Sequence, residues 1–394
     1  IWTANYPKEV RDLVSIVKNP VNNNLYISSY GYGFLEQKPD WPSDSFMVYN
    51  STNSPLKTIW PGSRVSGLTV DNEGNVWMAT LNAPPKIHVK KIDGTWKSYS
   101  FDTLNYVFEN VFDNKEFKNK LPPDMDIVID DNDYKWIRNA HRNTCPGGII
   151  VLNDKNDQSR YLNDKIGSGE LPNKNVNSIA KDKNGDIWVG TDEGIAVFYN
   201  TSTVFTDEDL NASTPIFDQR PLLETQQITT IAVDGGNRKW IGSRNGLWLF
   251  DDGATEEIIN FTVDNSPLLS NNIIDIAIHG ETGEVFIGTD KGIISFRGTS
   301  TESKSVHNNV EVFPNPVQPD FYGWIGIKGL ATDAIVKITD ISGKLVYETQ
   351  AEGGMAVWNV NDYNGDRVKA GIYLIFSTTK DKEDSYVAKI AVKE

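Results

Sequence analysis

A segment of about fifty residues recurs along the first three hundred positions, and such a chain must stack copies of one unit to bury their apolar faces. Residues 176–198 read VNSIAKDKNGDIWVGTDEGIAVF, 228–250 read ITTIAVDGGNRKWIGSRNGLWLF, and 273–296 read IIDIAIHGETGEVFIGTDKGIISF. An earlier copy spans 65–80, and weaker ones cover 14–35 and 125–151. Each unit runs in the same order: an alternating apolar strand, an Asp/Asn/Gly turn, a second strand with a large aromatic, a glycine-marked turn and a third apolar strand. A weaker outer strand follows, as at 95–99 and 257–261. Alternation with period two is the mark of a strand, and pairs such as Asn184-Gly185 and Asn245-Gly246 suit turns with positive φ.

The aromatic of the second strand sets the count. Tyr26, Trp77, Trp136, Trp188, Trp240 and Phe286 follow one another at spacings of 51, 59, 52, 52 and 46 residues. Their equivalence predicts structural anchors that pack between neighbouring sheets. Four-stranded antiparallel units repeated in this way make a β-propeller, here over residues 1–297, with six blades favoured and seven as the alternative. The last copy lacks an obvious outer strand, and residues 1–4 are expected to supply it, closing an otherwise open edge. Eleven Trp, 15 Tyr, 16 Phe and 31 Gly agree with an all-β chain.

Residues 298–309 (GTSTESKSVHNN) are small, polar and aperiodic, and read as a linker. Beyond them, apolar runs at 322–328, 334–340, 344–349, 354–360, 371–378 and 386–392 alternate with turn signals. Short strands at this spacing predict a β-sandwich over 310–394.

Composition removes several function classes. Fifty-three acidic residues against 38 Lys and Arg leave a net charge of −15, the wrong sign for a nucleic-acid backbone binder. Cys145 is the only cysteine, so neither an intrachain disulfide nor a thiolate zinc site can form, and the four histidines lie far apart. No metal and no cofactor is expected. No apolar run is long enough to span a bilayer as a helix. The sequence opens at Ile1 without a signal-like stretch and reads as a processed or excised piece. Asp182-Lys183-Asn184-Gly185-Asp186 imitates a calcium loop, but a strand follows at once, and a hairpin turn is the better reading. There is no nucleophile elbow and no phosphate-binding glycine loop. The chain therefore reads as a non-enzyme.

Two resemblances follow from these motifs. The pattern DxxGxxW(I/V)GT with a following GI resembles the two-component regulator propeller repeat. Val312-Phe313-Pro314-Asn315-Pro316-Val317, Ile338-Thr339-Asp340-Ile341-Ser342-Gly343-Lys344-Leu345-Val346, Gly353-Gly354, Trp358-Asn359 and Ala370-Gly371-Ile372-Tyr373-Leu374 resemble the C-terminal sorting domain of the Por (type IX) secretion system. Lys389 to Lys393 occupy the place of that family's closing basic-apolar strand. Together the two resemble an attachment-complex component of that system. The resemblance implies export through the periplasm to the outer face of the outer membrane. Its implied partners are the sortase and other attachment-complex proteins, and its implied ligand is anionic lipopolysaccharide or another glycan. Two alternatives stand beside it: a secreted cargo whose propeller binds carbohydrate or protein, and the sensor domain of a hybrid two-component regulator.

An acidic propeller needs a local basic exception to hold an anionic glycan. Arg138, His141 and Arg142, near Cys145, form the densest one, and arginine offers a planar fork for carboxylate or phosphate. Trp96, outside the repeat pattern and set in the aromatic-rich stretch 95–121, is the candidate sugar platform. Trp41 and Trp60 are further surface candidates.

Overall fold

A computed structural model describes residues 12–394 apart from 43–44, 58–62, 81–86, 100–125, 140–146, 380 and 382. The expected clasp at 1–4 therefore lies outside the described residues, as do Trp60, most of the 95–121 stretch, His141, Arg142 and Cys145. The chain separates into two compact units, one up to Ile228 and one from Thr229 to Glu394.

The first unit contains four blade-type sheets. Sheet one is Leu13–Lys18, Leu25–Ser29, Gly33–Gln37 and Met47–Tyr49, in that spatial order, and sheet two is Val65–Val70, Val76–Thr80, Ile87–Lys90 and Trp96–Tyr99. Sheet three runs Ile127–Ile129, Lys135–Arg138, Ile149–Asn153 and Gln158–Leu162, and sheet four Val176–Lys181, Ile187–Thr191 and Gly194–Phe198. In sheet four a bridge between Val197 and Ser213 stands where the others have an outer strand. All neighbours are antiparallel and consecutive, which is the meander expected of a blade.

The second unit continues the series. Sheet five is Ile228–Val233, Lys239–Ser243, Leu247–Phe250 and Glu257–Phe261, and sheet six is Ile273–His279, Glu284–Thr289 and Gly292–Arg297. Six blade-type sheets thus stand among the described residues, one for each aromatic of the repeat. The C-terminal sandwich follows. Glu311–Phe313, Ile325–Lys328 and Met355–Trp358 form one sheet. Leu345–Gln350, Ile335–Asp340, Gly371–Thr378 and Ser385–Val392 form the other. Trp358, Val336, Ile338, Ile375 and Ile390 fill the space between them. The Asn315 side chain donates to the Lys389 carbonyl and accepts from the Ala391 amide, while Val317 pairs with Val392. The Pro-Asn-Pro motif so covers part of the last strand's open edge.

Burial follows the repeat with one exception. Tyr26, Trp77, Trp136, Trp188 and Trp240 are all at most 2% exposed. Within each unit, neighbouring sheets close over such a ring, as Ile273, Ile276, Val285 and Ile287 of sheet six close over Trp240. Phe286 holds the equivalent place in sheet six, yet 39% of it is exposed, and within its own unit no further blade-type sheet follows sheet six. The repeat assigned it an anchor's role, but burial depends on the next sheet as much as on the residue.

The anchors should therefore differ in energetic weight. Trp188→Ala should destabilise the protein by about 3–5 kcal/mol, as other buried aromatic truncations do. Phe286→Ala should cost less than about 2 kcal/mol, since much of its area is never removed from water. Urea unfolding followed by circular dichroism compares them, and equal costs would contradict this account.

Candidate functional site

Arg138 and Trp96 lie on different sheets. Arg138 ends the second strand of sheet three, where its amide donates to the Asp126 carbonyl at 2.9 Å. Its Nε is buried and has no hydrogen-bond partner among the described residues. Trp96 opens the outer strand of sheet two, and its ring meets Phe34 and Tyr49 of sheet one at centroid distances of 6.0 and 5.9 Å. Tyr49 and Phe34 are themselves stacked at 4.9 Å. Trp96 thus packs within an aromatic cluster and makes its ring contacts away from sheet three. Trp41 lies half-buried with the Lys38 ammonium 5.1 Å from its ring centroid.

Sequence reading passed over Arg64, which precedes the first strand of sheet two. Its guanidinium lies 5.9 Å from the Tyr30 ring centroid, and its Nε, like the neighbouring Ser63 hydroxyl, is buried without a hydrogen-bond partner among the described residues. Strand direction gives a weak common feature. The Asp-marked turns lie at one end of the sheets, whereas Arg64 and Arg138 both sit at the opposite strand ends. A lone arginine before an apolar strand carries no sequence signal that separates it from a surface residue.

The Asp-marked end holds a cleft of about 310 Å³ lined by Thr69, Asp71, Asn72, Ile129, Asp130 and Lys181, among others. Its polar groups are committed to the fold. Asp71 and Asp130 accept from the indoles of Trp77 and Trp136 at 2.8 and 3.0 Å, and Lys181 pairs with Asp131 at 2.8 Å. The loop that imitates a calcium site behaves likewise. Asp182 Oδ1 accepts from the amides of Asn184 and Asp186, and its Oδ2 accepts from Trp188. The Thr-Asp-x-Gly signature is structural too. The Asp192 carboxylate receives the side-chain amides of Asn175, Asn177 and Gln227 at 2.6 to 2.9 Å. Among the described residues no group of three or more His, Cys, Asp and Glu could hold a metal ion.

One buried carboxylate stands apart. Glu36 accepts from Asn24 at 2.7 Å, Tyr26 at 2.9 Å and Tyr49 at 2.8 Å, with the Lys90 ammonium 3.6 Å away. Burial acts to raise its carboxyl, but the Tyr49 hydrogen bond, the Lys90 charge and the Tyr26 and Asn24 bonds together hold it below the ordinary value of 4.5. Burial and the Glu36 contact in turn push the Tyr26 phenol up to about 12. This network joins the second, third and fourth strands of sheet one to Lys90 of sheet two, and its donors converge on one acceptor. It braces a sheet boundary.

Comparison with known proteins places these elements. Residues 311–393 match the secretion system C-terminal sorting domain, and residues 170–193 match the two component regulator propeller. PorZ, an essential bacterial surface component of the type-IX secretion system of Porphyromonas gingivalis, aligns with 97% of this chain at 26% identity and a TM-score of 0.64. The alignment covers 51% of PorZ, so the chain spans about half of its length. The extracellular domain of BT4673 from B. thetaiotaomicron, assigned to a hybrid two component system, aligns with the whole chain at 13% identity and a TM-score of 0.51, over 52% of its own length. That likeness is one of fold. No curated protein matches the sequence significantly.

The Glu36 network gives a pH prediction with a definite sign. A carboxyl held low in the folded state contributes stability that is present above its unfolded value and lost as pH falls through its folded value. Glu36→Gln should cost on the order of 1–3 kcal/mol at pH 7, because Lys90 and two phenols lose a charged acceptor, and should flatten the acid limb of the stability curve below pH ~4.5. Thermal melts from pH 3 to 7 check it; an acid limb identical in the variant and the parent would contradict it. The chain is all-β, carries propeller repeats followed by a Por-type C-terminal sorting domain, and is PorZ-like over nearly its whole length.

Proposed function

We propose that the chain works as a non-enzymatic surface component of the type IX secretion attachment complex, a scaffold that binds anionic lipopolysaccharide or a similar acidic glycan and assists the sortase. The observation that carries this reading is the combination in one chain of a PorZ-like fold over 97% of its length and a sorting-domain match at 311–393. A sorting domain implies export, and the reading puts the protein on the outer face of the outer membrane after passage through the periplasm. Among the described residues no helix is long and apolar enough to cross a membrane.

Deletion of the gene tests the role directly. A component of the apparatus should leave many cargo proteins unprocessed and unanchored at the surface. If bulk processing is normal and a single phenotype changes, the chain is a passenger and the reading falls. Intact-mass measurement of the surface protein gives an independent check, since a passenger is expected to lose its C-terminal domain near 298–309.

The glycan would be held through Arg138, with His141 and Arg142 close by in sequence. A guanidinium can offer parallel donors to a carboxylate or phosphate, and Arg138 is the one residue of its strand that is not fully buried. Replacing Arg138 and Arg142 together by Ala should weaken binding of an anionic glycan about tenfold or more and flatten its salt dependence, with melting unchanged. Titrations at two salt concentrations decide it, and equal affinities would remove the site.

A further inference from the structure

The segment 298–309, which reads as a linker, is pinned along its length within the second unit. Ser300 and Thr301 are 2% and 4% exposed. Thr301 bridges Gly353 and Lys304 bridges Ala331, both in parallel, and the Gly354 amide donates to the Thr301 carbonyl at 2.8 Å. Farther on, the His307 amide donates to Asp384 at 2.8 Å, and the His307 ring accepts from the Ala331 amide at 3.0 Å.

The other side of this contact is the Asp-marked turn of sheet five. Three backbones meet there: Gly235 of the turn, Thr301 and Gly353. A Cβ on Gly235 would strike the Thr301 carbonyl, and one on Gly353, whose φ is +60°, would strike both Thr301 and Gly235. Only residues without a side chain permit this approach. Arg238 completes the junction. It is buried, its Nε and Nη2 reach Asp234 Oδ2 at 2.9 and 2.8 Å, and its Nη1 donates to the Thr299 hydroxyl at 3.0 Å. The same turn position, two before the anchor, is Asn75 in sheet two, Tyr134 in sheet three and Asp186 in sheet four. Arginine at that place is peculiar to the turn that meets the C-terminal domain.

We propose that the 234–238 turn is a docking socket for the sorting-type domain, which closes the 298–309 segment to proteases while the two are joined, with Arg238 and the Gly235–Gly353 approach as its fastening. The socket couples two folding events. Arg238 can engage Thr299 only when Asp234 is already set by its turn, and the Thr301–Gly353 bridge forms only against a completed turn. An ordered sheet five and a docked tail thus favour each other, and the junction becomes cleavable when either is lost.

Limited proteolysis of the whole chain with a broad-specificity protease, read by intact mass, tests this. The parent should be cut within 298–309 slowly, and Gly353→Ala at least tenfold faster. Gly353 lies in the sorting-type domain, so its substitution leaves the sheet-five sequence intact. Arg238→Ala should act in the same direction, and Arg238→Lys, which keeps the charge but loses the fork, should recover only part of the protection. Gly353→Ala cut at the parent's rate overturns the proposal whatever Arg238→Ala does. So does a parent cut within 298–309 as fast as an unstructured peptide of that sequence.

Discussion

A buried indole must find an acceptor for its N–H, and the fold is organised around how four sheets meet that demand. Asp71, Asp130, Asp182 and Asp234 each stand six residues before the anchor tryptophan and accept from its Nε1 at 2.8, 3.0, 3.0 and 3.4 Å. The other oxygen of the same carboxylate accepts from two backbone amides of the turn, two and four residues on. One charge therefore shapes the turn and orients the core ring together. Where the anchor changes, the carboxylate goes. Six residues before Phe286 stands Gly280, since a phenyl ring offers no donor, and six before Tyr26 stands Pro20. Tyr26 reaches instead to Glu36 on the following strand. Aspartate and tryptophan behave as one unit across the repeat.

The same pairing logic explains how an acidic chain builds its interior. Several of its cations are held inside. Lys135 is buried between the Asp133 carbonyl and Asp154, with its ammonium 4.3 Å from the Trp77 ring centroid. Lys239 donates to the carbonyls of Asn237 and Asp252. Arg160 satisfies carbonyls of Val204, Asp207, Gly167 and Glu208, gathering a connector that has little regular structure of its own. A buried charge is tolerable only with such partners. Arg64 and Arg138 each keep a buried Nε that has no hydrogen-bond partner among the described residues.

The sequence revealed what is local and missed what is not. The repeat, the turns and the five buried anchors were legible because each rests on residues within one hairpin and its period. The sandwich strands were legible for the same reason, and all the observed ones but Glu311–Phe313 lie within or beside the apolar runs read from sequence. Phe286 matched the local pattern, but its exposure is decided by a neighbour that no hairpin encodes. Glu36 lies in a strand where alternation alone gives no reason to expect a charge, and its partners Asn24, Tyr26, Tyr49 and Lys90 are scattered over three separate stretches of chain. Trp96 stood out as an aromatic outside the repeat, yet its ring is part of the packing against sheet one. The 298–309 stretch shows no periodicity because its contacts are made largely by backbone, and backbone contacts leave no apolar pattern.

Asp234 shows how a repeat can be modified without being lost. Its Oδ2 accepts from the Trp240 indole and from Arg238 Nε, with Arg238 Nη2 2.8 Å away in an ion pair, and the indole bond, at 3.4 Å, is the longest of the four. The guanidinium contributes the stronger, charge-assisted interactions and draws the carboxylate away from the ring. Trp240 nevertheless stays fully buried, because sheet six covers it and packing does not depend on that one bond. The fifth turn can accordingly give part of its acceptor to an arginine that reaches beyond its own sheet. A repeat held by both hydrogen bonding and burial has this latitude: one term can be weakened in one copy to make a new contact while the other keeps the copy folded.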